Sequence, residues 1–188
     1  MSKQPWQEFY GILKTESSFW TYIRGVLRKG WSNYPVKLEF IKKHRKRIVN
    51  PVEKNRTRFP DCWGMTCALC NKDFAQKDIQ IDHIGEGSSF TGLHDLEKYV
   101  SHLFLIGIDD IRSVCAQCHR IETHRQRKGI TYEDAQIEKE IILIEQQESL
   151  DDILNFLYSY GYSEIQVSNT KKRRACMVEV FTNFTKGE

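Results

Sequence analysis

Two pairs of cysteines, each with the spacing Cys-x-x-Cys, stand far apart in this chain and could together hold one metal ion. The pairs are Cys67 with Cys70 and Cys115 with Cys118. Four thiolates form a closed tetrahedral site of the kind that binds structural Zn²⁺. The gap between the pairs is longer than the roughly 15–20 residues of a simple zinc ribbon. We therefore expect a folded segment between them.

That intervening segment contains the dipeptide Asp82-His83, and a further histidine, His119, directly follows the last cysteine. A carboxylate and a neutral imidazole can hold a hard divalent cation such as Mg²⁺ or Mn²⁺, which stabilises charge at phosphorus and helps a leaving oxygen. A second imidazole can deprotonate water, because its ordinary pKa lies near neutrality. These residue types indicate phosphodiester hydrolysis, with Asp82 and His119 as candidate cation ligands and His83 as the candidate general base.

Composition narrows the class of protein. With 188 residues, 40% of them hydrophobic, the chain is long enough for one core with appendages. It has no apolar run of about 18 residues and no apolar block at its N-terminus, so we expect no transmembrane helix and no signal peptide. The six cysteines then fit a reducing, cytoplasmic compartment, where such pairs bind metal rather than form disulfides. Cys62 and Cys176 have no partner at metal-binding spacing, and we take them as ordinary side chains.

The basic residues are concentrated in one segment. The net charge is only +3, but the stretch from Arg24 to Arg58 holds twelve Lys and Arg against two Glu. A basic block of this size suits a polyanion, and phosphate contacts dominate the affinity of proteins for nucleic acids. A solvated helix face or a targeting patch is the alternative. The residues of this block that we expect to contact double-stranded DNA are Arg24, Arg28, Lys29, Lys42, Lys43, Arg45, Lys46 and Arg47.

Hydrophobic periodicity predicts the elements that position these side chains. Residues 17–29 and 36–47 have helical spacing, and so do residues 93–104. Residues 78–84 alternate between apolar and polar as a half-buried strand does, which places neighbouring Asp and His side chains on opposite faces. Two histidines on the third of these helices, which we expect not to bind metal, are His94 and His102.

The second half of the chain begins with a short predicted strand at 111–114, and a helix should start near Cys118. Capping-box patterns predict helices over 132–147 and from Ser149 to about Tyr160. Alternation at 165–167 and again at 177–181 predicts a C-terminal β-hairpin. The tip of this hairpin is a candidate DNA contact, with a solvated turn as the alternative. It carries four basic residues, which are Lys171, Lys172, Arg173 and Arg174.

The order of these motifs resembles the HNH endonuclease family, whose fold is the ββα-metal nuclease fold. The family pattern is Cys-x-x-Cys, then Asp-His on a strand, then Asn-Leu-x-x-Leu-Cys-x-x-Cys-His entering a helix. The run from Asp110 to His119 reads Asp-Ile-Arg-Ser-Val-Cys-Ala-Gln-Cys-His. A wider stretch, roughly residues 19–140, is similar to HNH proteins of tailed bacteriophages, including a basic helical lead-in.

The resemblance implies a role for each matching residue. His83 would be the general base that activates water. Asp82 and His119 would hold the catalytic Mg²⁺ or Mn²⁺, and the product would carry a 5′ phosphate. The structural Zn²⁺ would be held by Cys67, Cys70, Cys115 and Cys118.

The chain departs from the family pattern at two positions. Asp110 stands where the family has an Asn that orients the loop of the base histidine, and an aspartate cannot donate as an amide does. Glu122 stands where a lysine is often found. His124, on the same predicted helix, is a further candidate metal ligand, with a helix-surface role as the alternative.

The expected function is metal-dependent DNA cleavage by a monomer without a small-molecule cofactor, and the family analogy favours a phage-encoded, homing-type enzyme in the cytoplasm of a bacterial host. The alternatives are a packaging-associated HNH nuclease and a catalytically silent, zinc-stapled DNA-binding protein. The expected fold class is α+β, in three segments. These are a basic helical lead-in at 1–60, a ββα-metal core with structural zinc at 61–130, and C-terminal helices with a β-hairpin at 131–188.

Overall fold

The computed structural model describes residues 3–8, 13–85, 87 and 90–186. These residues form eight α-helices and five strands, the strands in two separate antiparallel sheets. The predicted α+β class is therefore confirmed. The chain divides into two compact units, residues 1–119 and 120–188. No helix within the described ranges has the length and apolarity needed to cross a membrane.

Three helices begin the first unit: α1 (Pro5–Glu8), α2 (Glu16–Ser32) and α3 (Pro35–His44). A reciprocal capping box starts α2, because the Thr15 hydroxyl accepts from the Ser18 N–H at 3.2 Å and the Ser18 hydroxyl accepts from the Thr15 N–H at 3.1 Å. Pro35 starts α3, where its fixed φ suits the first helical turn. Both predicted lead-in helices are thus present.

The second lead-in helix ends earlier than the predicted 36–47, and its last basic residues belong to a strand. Strand β1 (Lys46–Val49) follows α3 at once and pairs antiparallel with β2 (Asp61–Thr66), which pairs in turn with β3 (Asp73–Ala75). The β-branched Ile48 and Val49 favour extended backbone, and pairing with β2 completes the ladder. The basic lead-in is therefore not wholly helical, and it shares one sheet with the segment that follows.

A second sheet carries the Asp-His dipeptide. Strand β4 (Ile79–His83) pairs antiparallel with β5 (Ile111–Cys115), so both predicted strands are confirmed. Helix α4 (Leu96–Phe104), the predicted helix of the intervening segment, lies between them in the chain. Helix α5 (Ala116–Lys128) follows β5 without a loop. The chain therefore has a strand–strand–helix arrangement around the predicted site residues.

Besides the cluster that contains the paired cysteines, two clusters of buried side chains hold the first unit together. Phe40, Met65 and Ile111 pack with half-buried apolar residues of β4. The second cluster joins α2 to α4 around Phe90, Tyr99 and Leu103, and partly buried residues that pack against it include Trp20, Ile23, Leu27 and Trp31. Burial of these apolar surfaces is the main term that holds helices against the strands.

The second unit is helical. Helix α6 (Tyr132–Gln147) and helix α7 (Leu150–Ser159) are capped by Thr131 and Ser149, whose side chains accept backbone N–H donors. Both elements confirm the capping-box predictions. Gly161 at φ +84° ends α7, since glycine adopts this backbone without strain.

The predicted C-terminal β-hairpin is wrong, because residues 170–186 form helix α8 (Thr170–Lys186). The side chain of Asn169 accepts the N–H of Lys172 at 3.0 Å and so caps the first turn. Met177 and Val180 are buried at helical spacing, and Met177 packs with apolar residues of α6 and α7. Apolar residues spaced by three and four positions resemble strand alternation over so short a run, and burial against neighbouring helices decides the outcome.

Candidate metal and active site

The four paired cysteines converge at one end of β5. Cys67 and Cys70 lie in a tight turn after β2, Cys115 ends β5, and Cys118 lies in the first turn of α5. Asn71 adopts a positive φ of 56°, which turns the chain back so that the Cys67 N–H can donate to the Lys72 carbonyl at 2.9 Å. The candidate ligand atoms all lie within 4.8 Å of one another.

This geometry fits a tetrahedral metal ion. Zinc–thiolate bonds of about 2.3 Å place the sulfurs of a tetrahedron about 3.8 Å apart, which small side-chain rotations would achieve here. Backbone N–H groups support thiolates, since Cys115 donates to Cys67 Sγ at 3.3 Å and Cys118 donates to Cys115 Sγ at 3.4 Å. Burial raises the pKa of Cys67, but backbone donors outweigh it and lower that pKa to about 7. The four cysteines could therefore hold a structural metal such as zinc.

Asp82 and His119, the predicted cation ligands, lie close together. Asp82 Oδ1 is 3.6 Å from His119 Nε2, with Asp82 on β4 and His119 in the first turn of α5. Their side chains are 17% and 35% exposed. A divalent ion with ligands at about 2.1 Å places neighbouring donor atoms about 3 Å apart. A carboxylate oxygen and a ring nitrogen at the observed separation could thus share one ion after a small rotation.

Arg112 adds a positive charge to this pair. It lies directly opposite Asp82 in the β4–β5 register, and its Nη2 is 3.4 Å from Asp82 Oδ2. Both side chains are 17% exposed. The guanidinium of Arg112 therefore contacts one carboxylate oxygen of Asp82, and the imidazole of His119 lies near the other.

His83, the predicted general base, ends β4 and is contacted by two helices. Strand alternation directs it to the face of β4 opposite Asp82. Its imidazole packs against Trp31 of α2 and His102 of α4, with ring centroids 4.4 and 4.8 Å away. Its Nε2 lies 3.3 Å from the carbonyl oxygen of Leu103.

The contact with Leu103 selects one tautomer of His83. A carbonyl oxygen only accepts, so Nε2 carries the hydrogen and Nδ1 keeps the lone pair that can take a proton. Burial lowers the pKa of His83 and neighbouring His102 adds to that effect, while the Leu103 carbonyl and two nearby carboxylates act in the opposite direction. The net lowering of the pKa favours the neutral imidazole, which is the form a general base requires.

Asp110 supports the end of β4 mainly through its backbone. Its carbonyl oxygen accepts the N–H of Ile84, the residue after His83, at 2.8 Å. Its carboxylate turns back and accepts the N–H of Gly107 at 2.7 Å. The carboxylate thus stabilises its own turn, and no amide donor is needed for that contact.

Glu122 and His124, the two further positions on α5 that the sequence singled out, both contact neighbouring side chains. Glu122 is buried and receives two hydrogen bonds from the guanidinium of Arg125, at 2.8 and 3.0 Å. His124 is 3% exposed, and its Nε2 lies 2.7 Å from a carboxylate oxygen of Glu138. Arg127 contacts the remaining ring nitrogen of His124 at 3.4 Å. Both nitrogens of His124 therefore have partners, and neither partner is a predicted cation ligand.

The basic residues of the lead-in are spread over two helices and a strand. Lys42 and Lys43 lie in the last turn of α3. The Nε of Arg28 donates to the Tyr99 hydroxyl at 3.2 Å, and Lys46 pairs with Asp73 at 2.8 Å. Lys29, Lys42, Lys43, Arg45 and Arg47 are exposed, and Arg24 is half-buried. Most of the predicted DNA contacts are therefore accessible on the surface of the first unit.

The C-terminal basic residues begin α8 and make contacts within their own unit. Arg174 donates to both carboxylate oxygens of Glu145. Arg173 donates to the Val167 carbonyl at 3.1 Å. Lys172 donates to the Ile165 carbonyl at 2.9 Å. These side chains thus stabilise the helix start, which leaves less of their charge directed at a ligand.

Sequence reasoning missed the side chains that surround the predicted base. Trp31 and Leu103 lie far from His83 in the chain, and no local spacing indicates their contact. The contact of Arg112 with Asp82 could have been predicted from the sequence, because antiparallel pairing of the two predicted strands can place these residues opposite each other. No protein-family model, curated protein or solved structure matches this chain.

Proposed function

We propose that the chain is a metal-dependent endonuclease of the HNH type that hydrolyses phosphodiester bonds in double-stranded DNA. The observation that carries the proposal is the pairing of Asp82 on β4 with His119 on α5, 3.6 Å apart. The adjoining four-cysteine cluster could fix the start of α5 against β5. Strand, strand and helix follow in the order that the resemblance implies.

The proposed roles divide the chemistry among these side chains. Asp82 and His119 would hold Mg²⁺ or Mn²⁺, which when bound supplies charge stabilisation at phosphorus and at the leaving oxygen. Nδ1 of His83 takes a proton from a water molecule, whose oxygen bonds to phosphorus. The bond from phosphorus to the 3′ oxygen breaks, that oxygen takes up a proton, and the products are a 5′ phosphate and a 3′ hydroxyl.

The exposed basic residues of α2, α3 and β1 would bind the duplex through its phosphates. Such contacts position DNA without reading its sequence. Lys42 and Lys43 lie in the last turn of α3, where the negative end of the helix dipole does not favour an anion. Their contribution would therefore be the direct attraction of their own charges to phosphate. Sequence selection, where it occurs, would come from other parts of the surface. Homing and packaging roles would share this chemistry.

The first test is cleavage of a supercoiled plasmid in the presence of Mg²⁺, Mn²⁺ or EDTA. We expect the wild-type chain to nick or linearise the plasmid with either ion and not with EDTA. His83→Ala and His119→Ala should each lose cleavage and still bind the plasmid. His94→Ala is the matched control, because that imidazole is 76% exposed on the same unit. Cleavage by His83→Ala at the wild-type rate would contradict the assignment of the base.

A second candidate is a zinc-stapled DNA-binding protein without catalysis. The observation that favours it is the Arg112 guanidinium 3.4 Å from Asp82, because a positive charge there opposes binding of a cation. This candidate predicts plasmid binding without nicking, on DNA from the source genome as well. Arg112→Gln separates the two functions, since it should raise Mn²⁺ affinity in a metal-dependent enzyme and leave a silent binder inactive.

A further inference from the structure

At one end of the first sheet, an exposed tryptophan lies between two arginines. Trp63 of β2 lies directly opposite Arg47 of β1, so both side chains leave the same face of the sheet. The guanidinium carbon of Arg45 is 4.4 Å from the Trp63 ring centroid, and that of Arg47 is 5.4 Å away. Both distances fall within the range of cation–π contacts. We call Arg45, Arg47 and Trp63 the indole patch.

The indole patch keeps its positive charge. Among the described residues, no carboxylate forms an ion pair with Arg45 or Arg47, and Arg47 donates instead to the backbone carbonyl of Asp61 at 3.2 Å. The basic side chain between them differs, because Lys46 leaves the other face and pairs with Asp73 at 2.8 Å. The charge of Lys46 is therefore neutralised by Asp73, whereas Arg45 and Arg47 present two guanidinium groups beside an aromatic ring.

The ring is also available to a ligand. Trp63 remains 43% exposed although both guanidinium groups contact it. Val49, two positions beyond Arg47 on the same face, is 66% exposed. The exposed part of the indole is apolar surface left in water, and a stacked nucleobase would cover it. Arginine charge with an accessible aromatic face is the combination that binds unpaired nucleotides, by phosphate attraction and base stacking.

We propose that the indole patch binds a single-stranded stretch of DNA, with a base stacked on Trp63 and phosphates contacting Arg45 and Arg47. An intact duplex hides the faces of its bases within the stack, so Trp63 should discriminate between unpaired and paired strands. The inference rests on the proposed function only in taking DNA as the nucleic acid. It requires neither the bound divalent ion nor cleavage.

The test is fluorescence anisotropy in EDTA with a fluorescein-labelled oligo-dT of about 16 nucleotides, within the footprint range of single-strand binders. A mixed-sequence duplex of the same length is the comparison. We expect Trp63→Ala to weaken binding of the oligo-dT about tenfold, and Trp63→Phe to retain most of it. Duplex affinity should change less than about twofold, because the indole does not stack on paired bases.

Charge is tested separately. Arg47→Gln should weaken binding of both probes and reduce the salt dependence of oligo-dT binding by about 0.7 in slope. Tyr158→Ala is the aromatic control, with 40% exposure on α7, and Lys98→Gln is the charge control, exposed on α4. Circular dichroism and zinc content establish that each variant folds.

The outcomes separate this inference from the proposed function. Oligo-dT affinity that is unchanged in Trp63→Ala, or lost equally for the duplex, overturns the indole patch while plasmid cleavage stands. Trp63-dependent binding without any plasmid cleavage supports the indole patch and counts against the nuclease. Binding of the wild-type chain to vesicles of anionic phospholipid but not to oligo-dT also overturns it.

Discussion

The indole ring of Trp31 lies against the imidazole of His83, with centroids 4.4 Å apart and planes inclined by 37°. Trp31 belongs to α2 and His83 ends β4, so this contact joins the basic lead-in to the strand that carries the Asp-His dipeptide. His102 of α4 contacts the same imidazole. The orientation of the proposed base therefore depends on helices that lie outside the strand–strand–helix arrangement.

Removal of the indole should affect cleavage more than DNA binding. We expect Trp31→Ala to lower the plasmid cleavage rate about tenfold or more, because the imidazole loses the ring that positions it. Plasmid affinity should stay within about twofold. The half-buried ring also contributes packing, so the free energy of unfolding should fall by about 2 kcal/mol in a urea titration. Trp31→Phe keeps a ring and should keep most of the activity; a wild-type cleavage rate in Trp31→Ala would exclude the positioning role.

Zinc content should depend on the four paired cysteines and on no others. The purified chain should contain about one equivalent of zinc. Cys115→Ser should lose it and unfold at lower denaturant, because metal binding contributes directly to folding. Cys62→Ser is the matched control, since Cys62 is half-buried on β2 outside the cluster. Elemental analysis checks both, and zinc retained in Cys115→Ser would show that this thiol is no ligand.

Two glycines of the first unit should respond oppositely to alanine. A Cβ at Gly64 would lie 2.4 Å from Ile48 Cδ1 and 2.6 Å from the Phe74 carbonyl oxygen. The carbonyl is backbone and cannot move freely, so Gly64→Ala should lower the free energy of unfolding by about 2 kcal/mol. Gly25, inside α2, has nothing within 4 Å of its Cβ position. Gly25→Ala should therefore stabilise the chain by about 0.5–1 kcal/mol. Urea denaturation of both variants measures the two changes in the free energy of unfolding. Equal changes would contradict the close packing around Gly64.

The second unit should lose stability in acid through Glu145. The guanidinium of Arg174 hydrogen-bonds this carboxylate and holds the pKa of Glu145 below its usual value. The ion pair therefore stabilises the fold above the unfolded pKa of about 4.3, and this stabilisation is lost as pH falls through the lower folded pKa. Because Arg174 is 53% exposed, Glu145→Gln should cost no more than about 1 kcal/mol at neutral pH.

The measurement for this pair is a series of urea titrations of wild type and Glu145→Gln from neutral pH down to about pH 2. The stability difference between them should shrink as the pH falls. A difference that stays constant across the series would mean that the carboxylate charge contributes nothing, and that the variant acts through packing alone.

Local chemistry in the sequence was sufficient for most of the elements. Thr131 and Ser149 each offer a hydroxyl to the first turn that follows, and both helices begin where those caps predict. The alternation around Asp82 predicted β4, and cysteine spacing predicted the four-thiol cluster. Caps, alternation and the spacing within each Cys-x-x-Cys pair depend on neighbours in the chain, so these signals act over a few residues.

Tertiary structure alone decided the rest. Residues 177–181 are apolar enough for a strand or a helix, and burial of Met177 against α6 and α7 selects the helix. The contacts of His83 with Trp31, and of His124 with Glu138, join residues whose positions in sequence carry no sign of their proximity. The sequence therefore determined the local elements and the types of ligand available. Packing between distant segments determined which side chains face each other, because hydrophobic burial is a property of the assembled core and not of any single segment.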